Sequence, residues 1–423
     1  MRHSKLLRCA ITSVGIFAAA SQAFAGAADA ADPVRDWLTP ALTYDGALVS
    51  DLQGGLRRGS TYVGNLHLKL TAKGASTPWL GTTGFVDLLA IHGGRPSQLV
   101  GDAQGVSNIE GPAGSQIEEL WLQHNFQGSS VSVLGGIYDL NSEFYRLQAA
   151  GLFLNSSFGM GPEFAQSGVE GPSIFPRTSA GIRFALKPGP GTVLRAALLD
   201  GVPVARPDGS HAVFQKGDGL LGVAEVAFLS RASAADTVPR DARDRIGRFS
   251  ALRPYDDKLA LGLWHYSGRY ADLSDVDSAA NPVARRGTSG AYAIGERELV
   301  GRDGSSRRHV AAFGQIGVAD ARTNRFASYV GAGLVGSGWG VGREADQIGI
   351  SIARANNGSH YARSMQAQDL TPTRAETTIE VTYLAQVSKH LAIQPDIQYV
   401  VHPNTDPSVS NAWVLQLRFE CSF

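Results

Sequence analysis

The chain has 423 residues, 50 of them glycine, and balances 38 Lys and Arg against 38 Asp and Glu. Glycine stands well above the roughly 7% of average proteins and charge below the usual ~25%, which excludes a disordered chain and a coiled coil. No basic excess points to nucleic acid, and two cysteines cannot build a disulfide framework or a four-thiolate zinc site.

The first 25 residues read as a signal peptide. Arg2, Lys5 and Arg8 form a positive start, Cys9 to Ala20 is an apolar stretch, and Ala23-Phe24-Ala25 supplies small residues for cleavage. The apolar stretch is too short to cross a bilayer as a mature helix. The expected mature chain begins near Gly26, carries 35 basic and 38 acidic residues, and keeps one cysteine, Cys421. Residues 26–40 form a lead-in.

From residue 41 the pattern has period two. Leucines alternate with polar residues in Asn65 to Leu70. Leu120, Leu122 and Phe126 share one face opposite Glu119, Gln123 and Asn125. Ile379, Val381 and Tyr383 oppose Thr378, Glu380 and Thr382, and Ile393, Ile397 and Tyr399 oppose Gln394, Asp396 and Gln398. Such alternation marks strands with one apolar and one polar face. Sixteen are expected, near 41–49, 61–71, 84–91, 117–126, 130–138, 179–186, 192–199, 220–229, 259–268, 291–300, 308–318, 326–335, 346–354, 377–387, 391–401 and 412–423. Most approach the ~9–11 residues of a tilted transmembrane strand. An even count and long connections at one end, 139–178 the longest, fit one closed antiparallel transmembrane barrel over 41–423, with both termini on the periplasmic side. The other end has short turns, apart from residues 230–258. A soluble sandwich or propeller would alternate too, but with strands nearer five or six residues.

The last run is the most specific. Trp413, Leu415, Leu417, Phe419, Cys421 and Phe423 alternate with Gln416, Arg418, Glu420 and Ser422. An amphipathic strand ending in Phe423 is the kind of signal read by the outer-membrane assembly machinery.

The segments Gly54 to Gly59, Gly101 to Glu110, Glu119 to Leu122, Leu152 to Gly159, Gly295 to Leu299, Phe313 to Gly317 and Leu391 to Tyr399 resemble the carbohydrate-selective (OprB-type) porins of Gram-negative outer membranes, in the family's order. The resemblance implies a sixteen-stranded barrel that admits sugars, glucose above all, by passive diffusion. Between strands eight and nine the family usually has a tight turn. Here Arg231 to Lys258 inserts a charged segment with six arginines, and the resemblance assigns it no role.

A path for sugars needs hydrogen-bonding groups and flat apolar faces, and opposed charges polarise a constriction without a net charge barrier. The third long loop, 139–178, is expected to fold inward and supplies Asp139, Asn141, Glu143, Tyr145, Arg146, Phe153 and Asn155. The loop 92–116 is a second candidate, with Asp102, Gln104, Asn108 and Glu110. Arg57, Arg58, Asp87, Glu119, Arg183 and Arg195 are candidates on polar strand faces. Trp37, Trp79, Trp339 and Trp413 suit aromatic girdles at the bilayer interfaces.

No catalytic or cofactor motif emerges. There is no His-x-x-x-His or Cys-x-x-Cys pair and no Gly-x-Ser-x-Gly elbow. Gly331 to Gly336 spells a dinucleotide fingerprint but lies in a strand pattern. The expected protein is a sugar porin with no enzyme activity, no cofactor and no nucleic-acid partner, seated in outer-membrane lipid and open to homo-oligomerisation. A porin for organic acids, phosphate or ions is the alternative, and a barrel-embedded hydrolase the remoter one.

Overall fold

A computed structural model describes residues 37–74, 78–203, 213–230, 257–301, 308–340 and 343–423. The expected signal peptide, the lead-in up to residue 36 and residues 231–256 of the charged insertion lie outside the described residues.

Among the described residues sixteen strands pair in sequence order: β1 (Leu38–Gly55), β2 (Gly59–Lys73), β3 (Thr82–Gly93), β4 (Gly114–Asn125), β5 (Val131–Tyr138), β6 (Ser179–Gly189), β7 (Thr192–Asp200) and β8 (Leu220–Leu229) form the first half. The second half is β9 (Lys258–Val276), β10 (Pro282–Val300), β11 (His309–Ala319), β12 (Phe326–Ser337), β13 (Gln347–Asn357), β14 (Ala375–Ser388), β15 (Leu391–Val401) and β16 (Ser410–Ser422). β1 pairs antiparallel with β16, from Thr43 opposite Ser422 to Gly55 opposite Ser410, and the barrel closes. Closure leaves no sheet edge with unpaired N–H and C=O groups, which hydrocarbon cannot satisfy. The Gly331–Gly336 run sits inside β12, hydrogen-bonded on both sides to β11 and β13, so it builds wall.

The alternation is inside-out relative to a soluble sheet. On β16, Trp413, Leu415 and Leu417 point outward at 42–49% exposure, while Gln416, Arg418 and Glu420 are buried inside. β14 repeats this, with Ile379, Val381 and Tyr383 outside and Thr378, Glu380 and Thr382 inside. An apolar exterior around a polar interior is the pattern of a strand with lipid on one face and lumen on the other. Leu417→Arg should therefore cost about 2–4 kcal/mol if that position lies near the bilayer midplane. Folding yield into vesicles measures it, and Gln416→Arg on the inner face of the same strand should lose less.

Two expected boundaries move. The first outer connection shrinks to residues 56–58 and the fifth to 277–281, because β1, β9 and β10 run beyond their apolar stretches. On β9 the outward face turns polar there, with Ser267 and Arg269 exposed and Tyr270 and Asp272 buried opposite, so apolar-out alternation no longer reports the strand. Trp79 and Trp339 lie exposed in turns at one end, Trp413 near the other end of β16, and Trp37 is exposed before β1.

Candidate functional site

The longest connection, 139–178, lies inside the barrel, and its own composition explains why. Phe144, Tyr145, Leu147, Leu152, Phe153, Phe158 and Phe164 are each at most 4% exposed. They meet aromatic residues that point inward from the wall. Phe164 stacks on Trp264 at 4.8 Å between ring centres, Tyr145 lies 4.4 Å from Tyr292, and Phe153 and Phe158 flank Phe313 at 5.6 and 5.8 Å. Each large side chain fully buried contributes about 1.5–3 kcal/mol, so the loop is held by a hydrophobic core inside the barrel.

Carboxylates on the wall fix the loop backbone. Glu296 of β10 accepts the amides of Gln148 and Ala149 at 3.0 and 2.7 Å. Glu380 of β14 accepts those of Leu154 and Asn155 at 2.5 and 3.1 Å, and Glu225 of β8 accepts that of Tyr145 at 3.0 Å. Gln394 donates to the Leu152 carbonyl at 2.8 Å, Gln315 to that of Phe158 at 3.0 Å, and Lys258 to that of Arg146 at 2.7 Å. Each of these bonds satisfies a backbone group that the loop, with no secondary-structure ladder of its own, cannot pair within itself, so the anchors hold it in place.

The second loop, 94–113, also turns inward, toward the β14–β16 wall. Val106 and Ile109 join a cluster with Val49, Val63 and Val414. Glu376 accepts the amides of Ala103 and Gln104 at 2.8 and 2.9 Å, and Arg418 donates to Asn108 Oδ1 at 2.5 Å and Ser107 Oγ at 2.9 Å. The two loops are tied to each other. The Asn108 amide donates to the Leu154 carbonyl and the Ser156 amide to that of Gly105, both at 2.8 Å.

Between them lies a recess of ≈370 Å³, toward the lower end of the roughly 300–1,000 Å³ of small-molecule pockets. Gln104, Asn108, Glu110, Asp139, Asn141 and Gln166 supply its polar lining, and Ile174 and Phe175 an apolar side. Five sequence candidates thus meet here: Gln104, Asn108, Glu110, Asp139 and Asn141. Glu110 is held by Arg95 at 3.3 Å and by the Ser97 amide at 2.9 Å, and Asp139 accepts the Asn141 amide at 2.9 Å.

The other candidates have different surroundings. Glu143 is buried against Arg183, which is fully enclosed, at 2.8 Å, and accepts the Tyr138 hydroxyl at 2.5 Å. This pair is a seam between loop and wall. Phe153 and Asn155 are each 1% exposed, one in the aromatic cluster and the other anchored to Glu380, so neither is open to a solute. Arg146 is half-buried, and Asp102 belongs to the second loop near Glu376. Burial, with the negative charges of Glu376 and Glu110, raises the Asp102 carboxyl above the usual range. Asp87 holds His67 at 3.0 Å and Lys69 at 3.8 Å; Glu119 accepts the Trp121 indole N–H at 3.0 Å; Arg195 pairs with Glu225 at 3.4 Å. Arg57 and Arg58 stand exposed in the turn between β1 and β2, not on a polar strand face.

Sequence reasoning passed over Glu163, in the short helix Pro162–Ala165. Its carboxyl is 1% exposed, accepts the Tyr145 hydroxyl at 3.0 Å, and occupies space that a side chain at Gly317 would fill. Burial pushes its pKa up to about 7, the Tyr145 hydrogen bond opposing. The docked loop therefore holds a proton that a free carboxyl gives up near 4.5. Its docking is strongest below that value and weakens as pH rises through about 7. Hydrogen exchange of the Phe164–Gln166 amides, corrected for intrinsic rate, should show less protection at pH 8 than at pH 5. Glu163→Gln should flatten that difference.

A closed barrel with an apolar exterior, a polar lumen and loops folded into it is the build of an outer-membrane porin. Residues 80–423 match the family described as carbohydrate-selective porin, OprB family, and the chain belongs to that family. It is a channel of the Gram-negative outer membrane, and the family and its structural neighbours are channels, not enzymes. Porin B of Pseudomonas aeruginosa is 26% identical over 185 residues, 38% of this chain, so the chain spans 40% of that curated relative. The high-pH structure of Pseudomonas putida OprB superposes with a TM-score of 0.79 at 18% identity, over 92% of this chain and 95% of that one. The low-pH structure of the same protein gives 0.54 at 14% identity, over 92% and 94%. At those identities the likeness concerns the fold.

Proposed function

We propose that the barrel passes glucose and other small neutral sugars by diffusion, through the recess between its two inward loops. The observation that carries this is the lining of that recess, where amides and two carboxylates face an apolar side. Sugar hydroxyls donate well to carboxylates, and the weakly polar face of a pyranose suits Phe175 and Ile174. The lumen around it mixes signs, with Lys69, Arg183 and Arg195 set against Asp87, Glu119, Glu380 and Asp396; Lys69 pairs with Asp87 and Arg195 with Glu225 within the wall, and Arg183 with Glu143 of the loop. A mixed lining puts little net field on a neutral solute and none of the single-sign ring that anion or cation channels use. The reading is one of passage, with no cofactor and no chemical step.

Asp139 and Glu110 are the groups we assign to hydroxyl contact. Phe423, exposed at the chain's end, is the proposed signal for barrel assembly, and association of barrels into homo-oligomers is compatible with this function but not needed for it. Swelling of porin-containing vesicles in glucose tests the reading. Asp139→Asn combined with Glu110→Gln should weaken sugar affinity by about thirtyfold, since each lost charged hydrogen bond contributes on the order of 1 kcal/mol. Unchanged glucose swelling in the double variant would place the sugar path elsewhere in the lumen. Faster entry of phosphate or organic acids than of glucose into wild-type vesicles would favour a porin for anionic solutes.

A further inference from the structure

The outer wall of the β9–β10 hairpin carries two arginines that the lumen does not use. Arg269 and Arg286 are cross-strand partners in the register of the pair, so both point to the same, outward side, and both are exposed. Among the described residues neither has a carboxylate partner. The neighbouring arginines do: Arg285 holds Asp272 and Asp275 at 2.8 Å each, and Arg322 holds Asp320 at 2.6 Å. Two like charges directly opposite on a strand pair repel, and this arrangement is unfavourable unless an anion joins them.

Their height on the wall indicates which anion. Below them on the same face of β9, Leu259, Leu261 and Leu263 form an apolar ladder at 46–60% exposure. From Leu259 to Arg269 the strand advances about as far as the ~9–11 residues that carry a tilted strand across the hydrocarbon. The hairpin connection 277–281 lies at the same end as the long loops, which in such barrels is the external one. The pair therefore sits at the level of the outer-leaflet headgroups. A bulge with Gly287 at φ 76° separates Arg286 from Thr288. The missing side chain at Gly287 leaves room for the His265 imidazole, bonded to Ser289 at 2.8 Å just beneath.

We propose that Arg269 and Arg286 clamp a phosphate of a membrane-anchored glycolipid in the outer leaflet. Guanidinium groups match phosphate oxygens in a two-bond fork, and two forks on adjacent strands hold one phosphate from both sides. Basic sites beside apolar wall select phosphorylated lipid headgroups, because the acyl chains and the charge are satisfied together. The clamp is independent of which solute the lumen passes.

The test uses the full barrel reconstituted in phosphatidylethanolamine vesicles that contain bisphosphorylated lipid A, extracted in mild detergent and weighed intact by native mass spectrometry. Wild-type barrels should keep the lipid, and Arg269→Ser with Arg286→Ser should keep about tenfold less. Dephosphorylated lipid A should be kept poorly and equally by both. Glucose swelling and heat-resistant migration should stay at wild-type levels, which separates this result from misassembly. Arg269→Lys with Arg286→Lys should recover part of the binding. If the double serine variant fails to assemble, Arg286→Gln alone takes its place and should show reduced retention. Equal retention of phosphorylated lipid by wild type and variant, or equal retention of both lipids by wild type, overturns the proposal. Full displacement of the lipid by millimolar inorganic phosphate would make this a site for free anions and overturn the lipid assignment.

Discussion

Excising residues 144–171 should raise single-channel conductance several-fold and abolish block by sugar. The cut falls where the chain already closes on itself, since the Leu140 amide donates to the Ser173 carbonyl at 2.8 Å and the Ser173 hydroxyl to the Tyr138 carbonyl at 2.6 Å. The barrel wall keeps its full ladder, so the variant should still assemble. What it loses is the aromatic plug and the far side of the recess. It should also change ion preference. Glu296 and Glu380 now accept loop amides, and without the loop they face an open lumen, while Glu225 keeps Arg195. Acidic groups newly facing the path shift the lining toward cations. Reversal potentials in a salt gradient measure this shift. An excised barrel with wild-type conductance would mean that the loop does not narrow the path.

The second large effect concerns the seam that holds the loop's beginning. Glu143→Ala would leave the Arg183 guanidinium, wholly enclosed, with Ser132 and Gln123 as its side-chain partners among the described residues. Stranding one member of a buried pair costs about 3–5 kcal/mol, against the small value of a surface pair. The temperature at which the barrel loses its heat-resistant migration should fall clearly. Glu143→Met with Arg183→Met removes both charges together and should recover part of that loss. A drop in stability with Glu143→Ala, and a smaller one for the paired variant, is the signature of an anchor; a change confined to sugar block would instead make Glu143 a contact residue.

The barrel was legible because a wall exposed to lipid on one side and polar on the other enforces period two. All sixteen strands follow from runs such as Trp413 to Phe423 and Thr377 to Val387. Where the constraint lapses, so does the signal. Residues 269–276 and 282–290 form paired strands above the apolar ladder, but there the outward face carries Arg269 and Arg286 while Tyr270 and Asp272 are buried inside, so apolar-out alternation is lost.

The site was legible only in part, for a different reason. Asp139, Asn141, Asn108 and Glu110 stood out as polar residues in long loops, and they gather around one recess. Glu143 and Arg183 look like solvated charges in sequence, yet they bury each other, because a loop packed inside a barrel has an interior of its own. The same packing hid the inward aromatics. Tyr292, Phe313 and Trp264 read as ordinary wall residues until a loop rich in Phe is laid against them. Glu296 and Glu380 lie on the inward phase of their strands, and that phase was the available clue. Their partners are backbone amides, which sequence does not mark.

The most direct measurement is single-channel conductance of the purified barrel, titrated in turn with glucose, phosphate and a small carboxylate. Sugar diffusion through the recess predicts weak ion selectivity and saturable block by glucose at millimolar concentration; on the order of 1 mM corresponds to about −4 kcal/mol, weak enough for release. Ion current unaffected by glucose and strongly blocked by phosphate or the carboxylate would contradict the sugar reading.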